Sequence, residues 1–355
     1  PAADSAMESM AQRALHLTRR HFGRTISLYI PLYLSDYCSG GCVYCGFAAD
    51  RRIPRSRLDR GHAIGEMDSI KAMGFDEILL LTGERTKQAG FPFVLENVRL
   101  AAERFNLVAI ETFPMTADEY RALSDAGCVG MSLYQETFDP VIYRQAHRWG
   151  PKQDYAGRID APRRALEGGM RQVGLGVLLG LADPVFDALA LFRHIEHLRK
   201  SFWRSGFSVS FPRIRPQAGG YAPSHPVDER LLARIIWAFR ICLPDAHLVL
   251  STRESPALKV AAGLRDKGVE ILCYDPHVRK APVPLAPPKE CLAGADLALL
   301  LTDHTEFRQL DPARVAEHMR HRRVYDTRNM LDHRAWATAG FEVTLLGAGR
   351  SASRR

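Results

Sequence analysis

Three cysteines fall within eight residues: Cys38, Cys42 and Cys45, in the stretch CSGGCVYCGF that follows the apolar run LYIPLYLS. Thiolates gathered this tightly are metal ligands in a reducing compartment rather than parts of a disulfide framework, which would be denser and more even along the chain. Three thiolates can hold three irons of a [4Fe–4S] cluster and leave the fourth iron open to a small molecule. Zinc is the alternative, with His62 or a distant residue as fourth ligand, but no second cysteine pair accompanies the first. Three unrelated buried thiols are a poor account of so short a spacing. Tyr44 sets an aromatic ring beside the third cysteine. The other four cysteines, Cys128, Cys242, Cys273 and Cys291, are scattered and read as ordinary thiols. The expected location is the cytoplasm.

A cysteine loop needs a scaffold. Apolar runs of strand length recur at 28–34, 77–82, 107–112, 128–134, 173–180, 207–212 and 247–252. Stretches such as AIGEMDSIKAMGF and DERLLARIIWAFRICL lie between them and carry helical periodicity. Residues 5–22 form a leading helix. Continuous apolar strands alternating with helices imply a parallel sheet covered by helices, and seven such units predict a (β/α) barrel of TIM type, incomplete. Polar residues cluster where these runs end: TGE, ET, YQET, RIRP and STRES. In a parallel barrel these ends share one face, which brings Cys38, Glu84, Glu136 and Arg253 together from distant parts of the chain.

The chain has 355 residues, 46% of them hydrophobic, enough for one large α/β domain or two medium ones. No run is long and apolar enough for a membrane helix, and no signal peptide is visible; no membrane association is expected. The first residue is proline, which suggests a fragment or processed product. The net charge of +8 is dispersed, and the densest basic run, HMRHRR (318–323), is short; no nucleic-acid partner is expected.

The motifs, in order, carry a family resemblance. C-x3-C-x-Y-C after the first strand resembles the radical S-adenosylmethionine (SAM) superfamily. The set PLYLS…CVYCGF, LLLTGE, YQETF, KQDY…R…AP, GLGVLLGL, SVSFPRIRP and STRESP resembles the 2-iminoacetate synthases (ThiH), the tyrosine lyases of thiamine biosynthesis. The resemblance implies a [4Fe–4S] cluster on Cys38, Cys42 and Cys45, with SAM chelated by the open iron and cleaved by one electron to methionine and a 5′-deoxyadenosyl radical. L-Tyrosine would then be split at Cα–Cβ into p-cresol and 2-iminoacetate (dehydroglycine). It implies that Thr82, Gly83 and Glu84 hold the SAM amino group, with Tyr44 beside the cofactor. Glu136 is implied at the SAM ribose and Arg158 at the SAM carboxylate. Ser251 and Arg253 are implied to grip the tyrosine carboxylate, and Glu136 and Arg253 are the catalytic candidates. Gln135 and Arg215 are placed in the substrate pocket; Tyr134 lines it or merely packs, and of Arg213 and Arg215 one is structural. An electron donor of flavodoxin or ferredoxin type and the thiazole synthase complex are the implied partners. His62, His147 and His225 read as surface or loop residues. The hydrogenase-maturation tyrosine lyases (HydG) are related but carry further C-terminal cluster cysteines, which have no counterpart in this sequence.

The resemblance stops within Arg253–Pro256. The eighth strand and the glycine- and serine-rich loop of the lyases are replaced by a segment that resembles the C-terminal UDP-binding domain of UDP-glucose and UDP-N-acetylmannosamine dehydrogenases. The expected organisation is a chimera: residues 1–252 a radical SAM barrel, 253–349 a Rossmann-like three-layer half-domain, and 350–355 a tail. The half-domain lacks the GxGxxG domain and catalytic thiol of its relatives, so it is expected to hold a nucleotide sugar weakly and to oxidise nothing. HLVLST could serve as the seventh barrel strand or as the first strand of the tail sheet. VEILCYD is expected as a strand, closing the barrel or joining the tail.

Overall fold

The computed structural model describes residues 4–215, 220–250, 263–265, 267–276, 278, 283–302, 305–327 and 330–345. The chain divides into two compact units, Pro1–Ser251 and Thr252–Arg355.

The first unit is a seven-stranded parallel sheet whose order in space is its order in sequence: β1 (Ile30–Tyr33), β2 (Glu77–Leu81), β3 (Leu107–Glu111), β4 (Cys128–Ser132), β5 (Gln172–Gly176), β6 (Gly206–Ser210) and β7 (His247–Val249). The helices are α1 (Asp4–Phe22), α2 (Arg60–Ala72), α3 (Phe91–Ala102), α4 (Ala117–Asp125), α5 (Pro140–Ala146), α6 (Tyr155–Glu167), α7 (Pro184–Ser201) and α8 (Glu229–Cys242). A sheet with this order and a helix after each of its first six strands is a half-barrel of the expected class, with β1 and β7 as its edges among the described residues. HLVLST is thereby assigned: Val209 and Ser210 of β6 pair with Leu248 and Val249, so the run belongs to the first sheet.

Alternation along each strand separates two faces. Leu32, Ile78, Leu80, Val108, Ile110, Met131, Val173, Leu175 and Val209 form one core with Met67 of α2, Val98 of α3, Leu123 of α4, Ala165 of α6 and Leu191 and Ile195 of α7. The opposite face of β4 to β6 carries small residues. A side chain on Gly174 would meet Ser132 Oγ at 2.3 Å and Ser208 Oγ at 3.0 Å, and one on Gly176 would meet the Tyr134 ring at 2.7 Å. On this face neighbouring hydroxyls and the Tyr134 ring already occupy the space a side chain would need, so glycine is required at both positions. Before β1, α1 packs on α8; Phe22 meets His247 edge-on at 5.0 Å and lies under the Arg240 guanidinium at 4.5 Å.

The second unit has a three-stranded parallel sheet in the order β10 (Glu342–Leu345), β9 (Arg323–Asp326), β8 (Ala298–Leu300). Leu300, Met319, Val324, Trp336 and Phe341 make its core. Asp326 is fully buried and accepts from the Met330 and Leu331 amides at 2.8 and 3.0 Å, and it lies 3.0 Å from His333 Nε2. VEILCYD is not the expected strand. Among the described residues it joins neither sheet, and Cys273 makes an isolated bridge to Leu285. An apolar run becomes a strand only where an edge is there to pair with it.

Candidate active site at the strand ends

The loop after β1 is held by its own arginines. Arg51 donates to the Cys45 and Val43 carbonyls at 3.2 and 3.0 Å. Arg55 reaches the Asp36, Phe47 and Ala48 carbonyls at 2.6, 2.9 and 2.7 Å. Main-chain groups that a sheet or helix would satisfy are here satisfied by guanidinium groups. Amides also point at sulfur: Gly40 N and Glu84 N donate to Cys38 Sγ at 3.4 and 3.3 Å, and Phe47 N donates to Cys45 Sγ at 3.4 Å. Such donors favour the thiolate form of the sulfur they face.

Three glycines allow this close assembly. A Cβ on Gly83 would sit 2.6 Å from both Cys38 Cβ and the Tyr37 carbonyl, so the glycine of TGE is required by the cysteine loop's approach. A Cβ on Gly41 would strike the Trp149 ring at 2.3 Å. Gly150, with φ of 92°, abuts the Ser39 carbonyl. The segment 146–150 pairs with the cysteine loop like a short ladder: Val43 N to Ala146 O at 3.0 Å, Gly41 N to Trp149 O at 3.0 Å, and Cys42 opposite His147.

The thiols suit a cluster better than a single ion. A Cβ on Gly40 would lie 3.6 Å from Cys38 Sγ and 3.7 Å from Cys42 Sγ, so this backbone runs between the two sulfurs. Among the described residues no three His, Cys, Asp or Glu side chains are set to hold one metal ion. Thiolates on separate irons of a cube stand wider apart than thiolates around one ion, and this loop spreads them. His62, the zinc alternative, is exposed and pairs with Asp59 at 2.8 Å. Burial pushes the Cys42 thiol up to about 11, with the Lys152 cation opposing; metal binding must therefore displace its proton.

Around the loop lie two buried ion pairs. Glu84, after β2, accepts from Arg158 of α6 at 2.8 Å, both side chains being under a tenth exposed. Arg158 also donates through Nε to the Tyr134 carbonyl at 2.9 Å, and Glu84 Oε2 has no partner. Arg85 forks onto Glu119 of α4 with two 2.8 Å bonds and stacks on Phe113 at 4.5 Å, which anchors the TGE turn. The second pair is Glu136 Oε1 with Lys152 Nζ at 2.5 Å. Burial alone would push the Glu136 carboxyl up, but the Lys152 and Arg158 cations outweigh it and hold it below the usual carboxylate range.

Glu136 has φ of 73°. A non-glycine residue there costs about 1–3 kcal/mol, so its surroundings must hold it. Its carbonyl accepts from Leu178 N at 2.8 Å. The next residues are clamped by the buried Asp187 of α7, which accepts from Thr137 Oγ1 at 2.9 Å and Phe138 N at 2.7 Å. Gln135 is 4% exposed, and neither polar atom of its amide has a partner. Thr82 turns its hydroxyl to the Gly83 carbonyl at 3.0 Å.

Two residues of this site carried no signal in the sequence. His147 is not the surface residue expected: it is fully buried, with Nδ1 2.8 Å from the Tyr143 carbonyl and Nε2 2.8 Å from Tyr44 Oη. Burial lowers its pKa to about 3, so it is neutral at ordinary pH. Lys152 is also buried, and its ammonium lies 5.6 Å from the Tyr44 ring centre. Of the paired arginines, Arg213 bonds the Val227 carbonyl at 2.8 Å and Glu229 at 3.1 Å, a structural role; Arg215 is half-buried after β6. Ser251 and Arg253 lie outside the described residues.

A model of the radical SAM superfamily matches residues 32–192. The 2-iminoacetate synthase of Escherichia coli (strain K12) is 41% identical over 257 residues, covering 72% of this chain and 68% of that protein. The chain belongs to the radical SAM superfamily, in the 2-iminoacetate synthase family. It is a radical SAM enzyme of the tyrosine-lyase type, and its cofactors are those of the superfamily, a [4Fe–4S] cluster and SAM. A crystal structure of HydG, a maturase of the [FeFe]-hydrogenase, matches with a TM-score of 0.70 at 27% identity, covering 72% of this chain; the match spans about three-fifths (59%) of that protein's chain. The radical SAM model ends at residue 192, and a second family model matches further along the chain. The UDP-binding domain model of the UDP-glucose/GDP-mannose dehydrogenase family matches residues 249–333. UDP-N-acetyl-D-mannosamine dehydrogenase of Methanococcus maripaludis (strain DSM 14266) is 38% identical over 104 residues, 28% of this chain and 24% of that protein.

Proposed function

We propose that this radical SAM enzyme cleaves the Cα–Cβ bond of L-tyrosine to give p-cresol and 2-iminoacetate for thiazole formation in thiamine biosynthesis. The observation that carries this reading is the 41% identity to 2-iminoacetate synthase across nearly the whole first unit. When bound, the cluster and SAM would supply one-electron cleavage of SAM to methionine and a 5′-deoxyadenosyl radical, which would become 5′-deoxyadenosine by taking a hydrogen atom from tyrosine. Cys38, Cys42 and Cys45 hold three irons. Glu84 and Arg158 form a pair of opposite charges beside Cys38 and suit the two charges of an amino acid: the unpartnered Glu84 Oε2 takes the SAM ammonium, and Arg158 takes its carboxylate. Thr82 and Gly83 shape that turn. Glu136 accepts from the ribose hydroxyls, and Tyr44 walls the cofactor. Gln135 offers the substrate a buried donor and acceptor, Arg215 stands on the same side, and Ser251 with Arg253 holds the tyrosine carboxylate. The partners are a small electron-transfer protein of flavodoxin or ferredoxin type and the thiazole synthase complex. The domain with residues 253–349 contributes UDP-sugar binding without oxidation.

The test is anaerobic cluster reconstitution followed by SAM, dithionite and L-tyrosine, assayed for 5′-deoxyadenosine and p-cresol. Both products are expected. Deoxyadenosine without p-cresol would overturn the tyrosine reading while leaving SAM cleavage in place. Arg253→Ala is expected to keep SAM cleavage but lose most of the p-cresol; an equal yield would remove Arg253 from the substrate site.

A further inference from the structure

The short segment 146–152 does two things at once. It pairs with the cysteine loop through Ala146, Trp149 and the Cys42–His147 bridge, and it delivers one buried cation, Lys152, to Glu136. The Lys152 backbone is itself fixed: its carbonyl accepts from the buried Tyr143 hydroxyl at 2.5 Å, and it sits in a single 3₁₀ turn after Gly150. The ammonium therefore has little freedom. It meets Glu136 on one side and the Tyr44 ring on the other. Glu136 in turn needs restraint, because its backbone is left-handed; Asp187, the Leu178 amide and Lys152 are among the groups that hold the strand end around it. A carboxylate that is to receive two hydroxyls must stay ionised and aimed, and a rigid buried cation does both.

We propose that Lys152 is a positioning residue for SAM: it clamps Glu136 in its left-handed conformation and ties that carboxylate to the cysteine loop. This deepens the reading above, since it rests on Glu136 meeting the SAM ribose. It does not depend on what the second substrate is.

The test measures equilibrium binding of SAM to the reconstituted protein without reductant and without tyrosine, beside iron content. Lys152→Met is expected to keep three-cysteine iron loading and to weaken SAM binding roughly 10- to 100-fold, the loss of one charge-assisted contact. Glu136→Ala should do the same, and the double variant should be no weaker than either single one, because both remove one interaction. Lys152→Arg, which keeps the charge, should recover most of the affinity. Losses that add in the double variant, or normal SAM binding by Lys152→Met, would overturn the proposal. If Lys152→Met does not fold, Lys152→Arg and Lys152→Gln decide it: equal affinity in the two means that the cation is not used. Absence of p-cresol from a protein that passes these binding tests counts against the tyrosine reading alone.

Discussion

At the scale of single residues, the site is built from groups that are individually costly to bury. Glu84, Arg158, Glu136 and Lys152 are all buried and charged, and removing one partner of such a pair leaves the other uncompensated. Cys42 differs from these: burial pushes its thiol up to about 11, so a bound metal must displace its proton. Cys42→Ala is therefore expected to abolish the cluster without unfolding the unit, since alanine fills much of the same buried volume. Iron content and the visible absorption of the reconstituted protein check this, and wild-type iron content would remove Cys42 from the ligand set. The thiols stood out by their spacing, and the TGE turn by its place at a strand end and by resemblance. His147 and Lys152 did not, because a lone histidine and a lysine in a loop look alike whether they face water or a carboxylate. Only the closure of 146–150 on the cysteine loop decides.

At the scale of elements, a strand end is held by the helix that follows the next strand, as Arg85 after β2 is by Glu119 of α4. Asp187 in the first turn of α7 is the clearest case: it accepts from Thr137 and Phe138 across a gap of about fifty residues in sequence. Burial raises its pKa to about 6, with the charges of Asp139 and Asp183 pushing the same way and its two hydrogen bonds opposing. An unfolded aspartate titrates near 4. The folded chain thus prefers the protonated acid, so Asp187 costs stability as pH rises from about 4 to about 6, by roughly 3 kcal/mol. The stability difference between the wild type and Asp187→Asn, measured by urea unfolding of the iron-free protein, should change across that window and be flat outside it. A difference that is flat throughout would place the Asp187 pKa at its ordinary value. The seven barrel strands were legible because a strand buried on both sides is a plain apolar run, and each run found a neighbour in register. VEILCYD has the same composition and failed, because pairing is a property of the neighbour and not of the run.

At the scale of the molecule, two families meet in one chain near residue 250. Part of the positive charge is used on the chain's own backbone: Arg51, Arg55, Arg148, Arg164, Arg213 and Arg240 all bond main-chain carbonyls. The second unit has its own parallel sheet and core. UDP is expected to stabilise that unit and leave SAM binding unchanged, so calorimetric melting with UDP should raise one transition only. A shift in neither would leave the dehydrogenase-like segment without its expected ligand. No helix among the described residues is long and apolar enough to cross a membrane.

Trp149 gives the molecule a gauge of its own state. Its indole lies against Gly41, between two of the cluster cysteines in sequence, and the Arg148 guanidinium covers it at 4.4 Å. An iron–sulfur cluster absorbs broadly where tryptophan emits, and over so short a path the excitation passes to it without light. Ultraviolet emission from this ring should therefore dim in step with iron loading. Assembly of the cofactor could then be followed in real time with no added dye, and each loop variant ranked by how fast it goes dark.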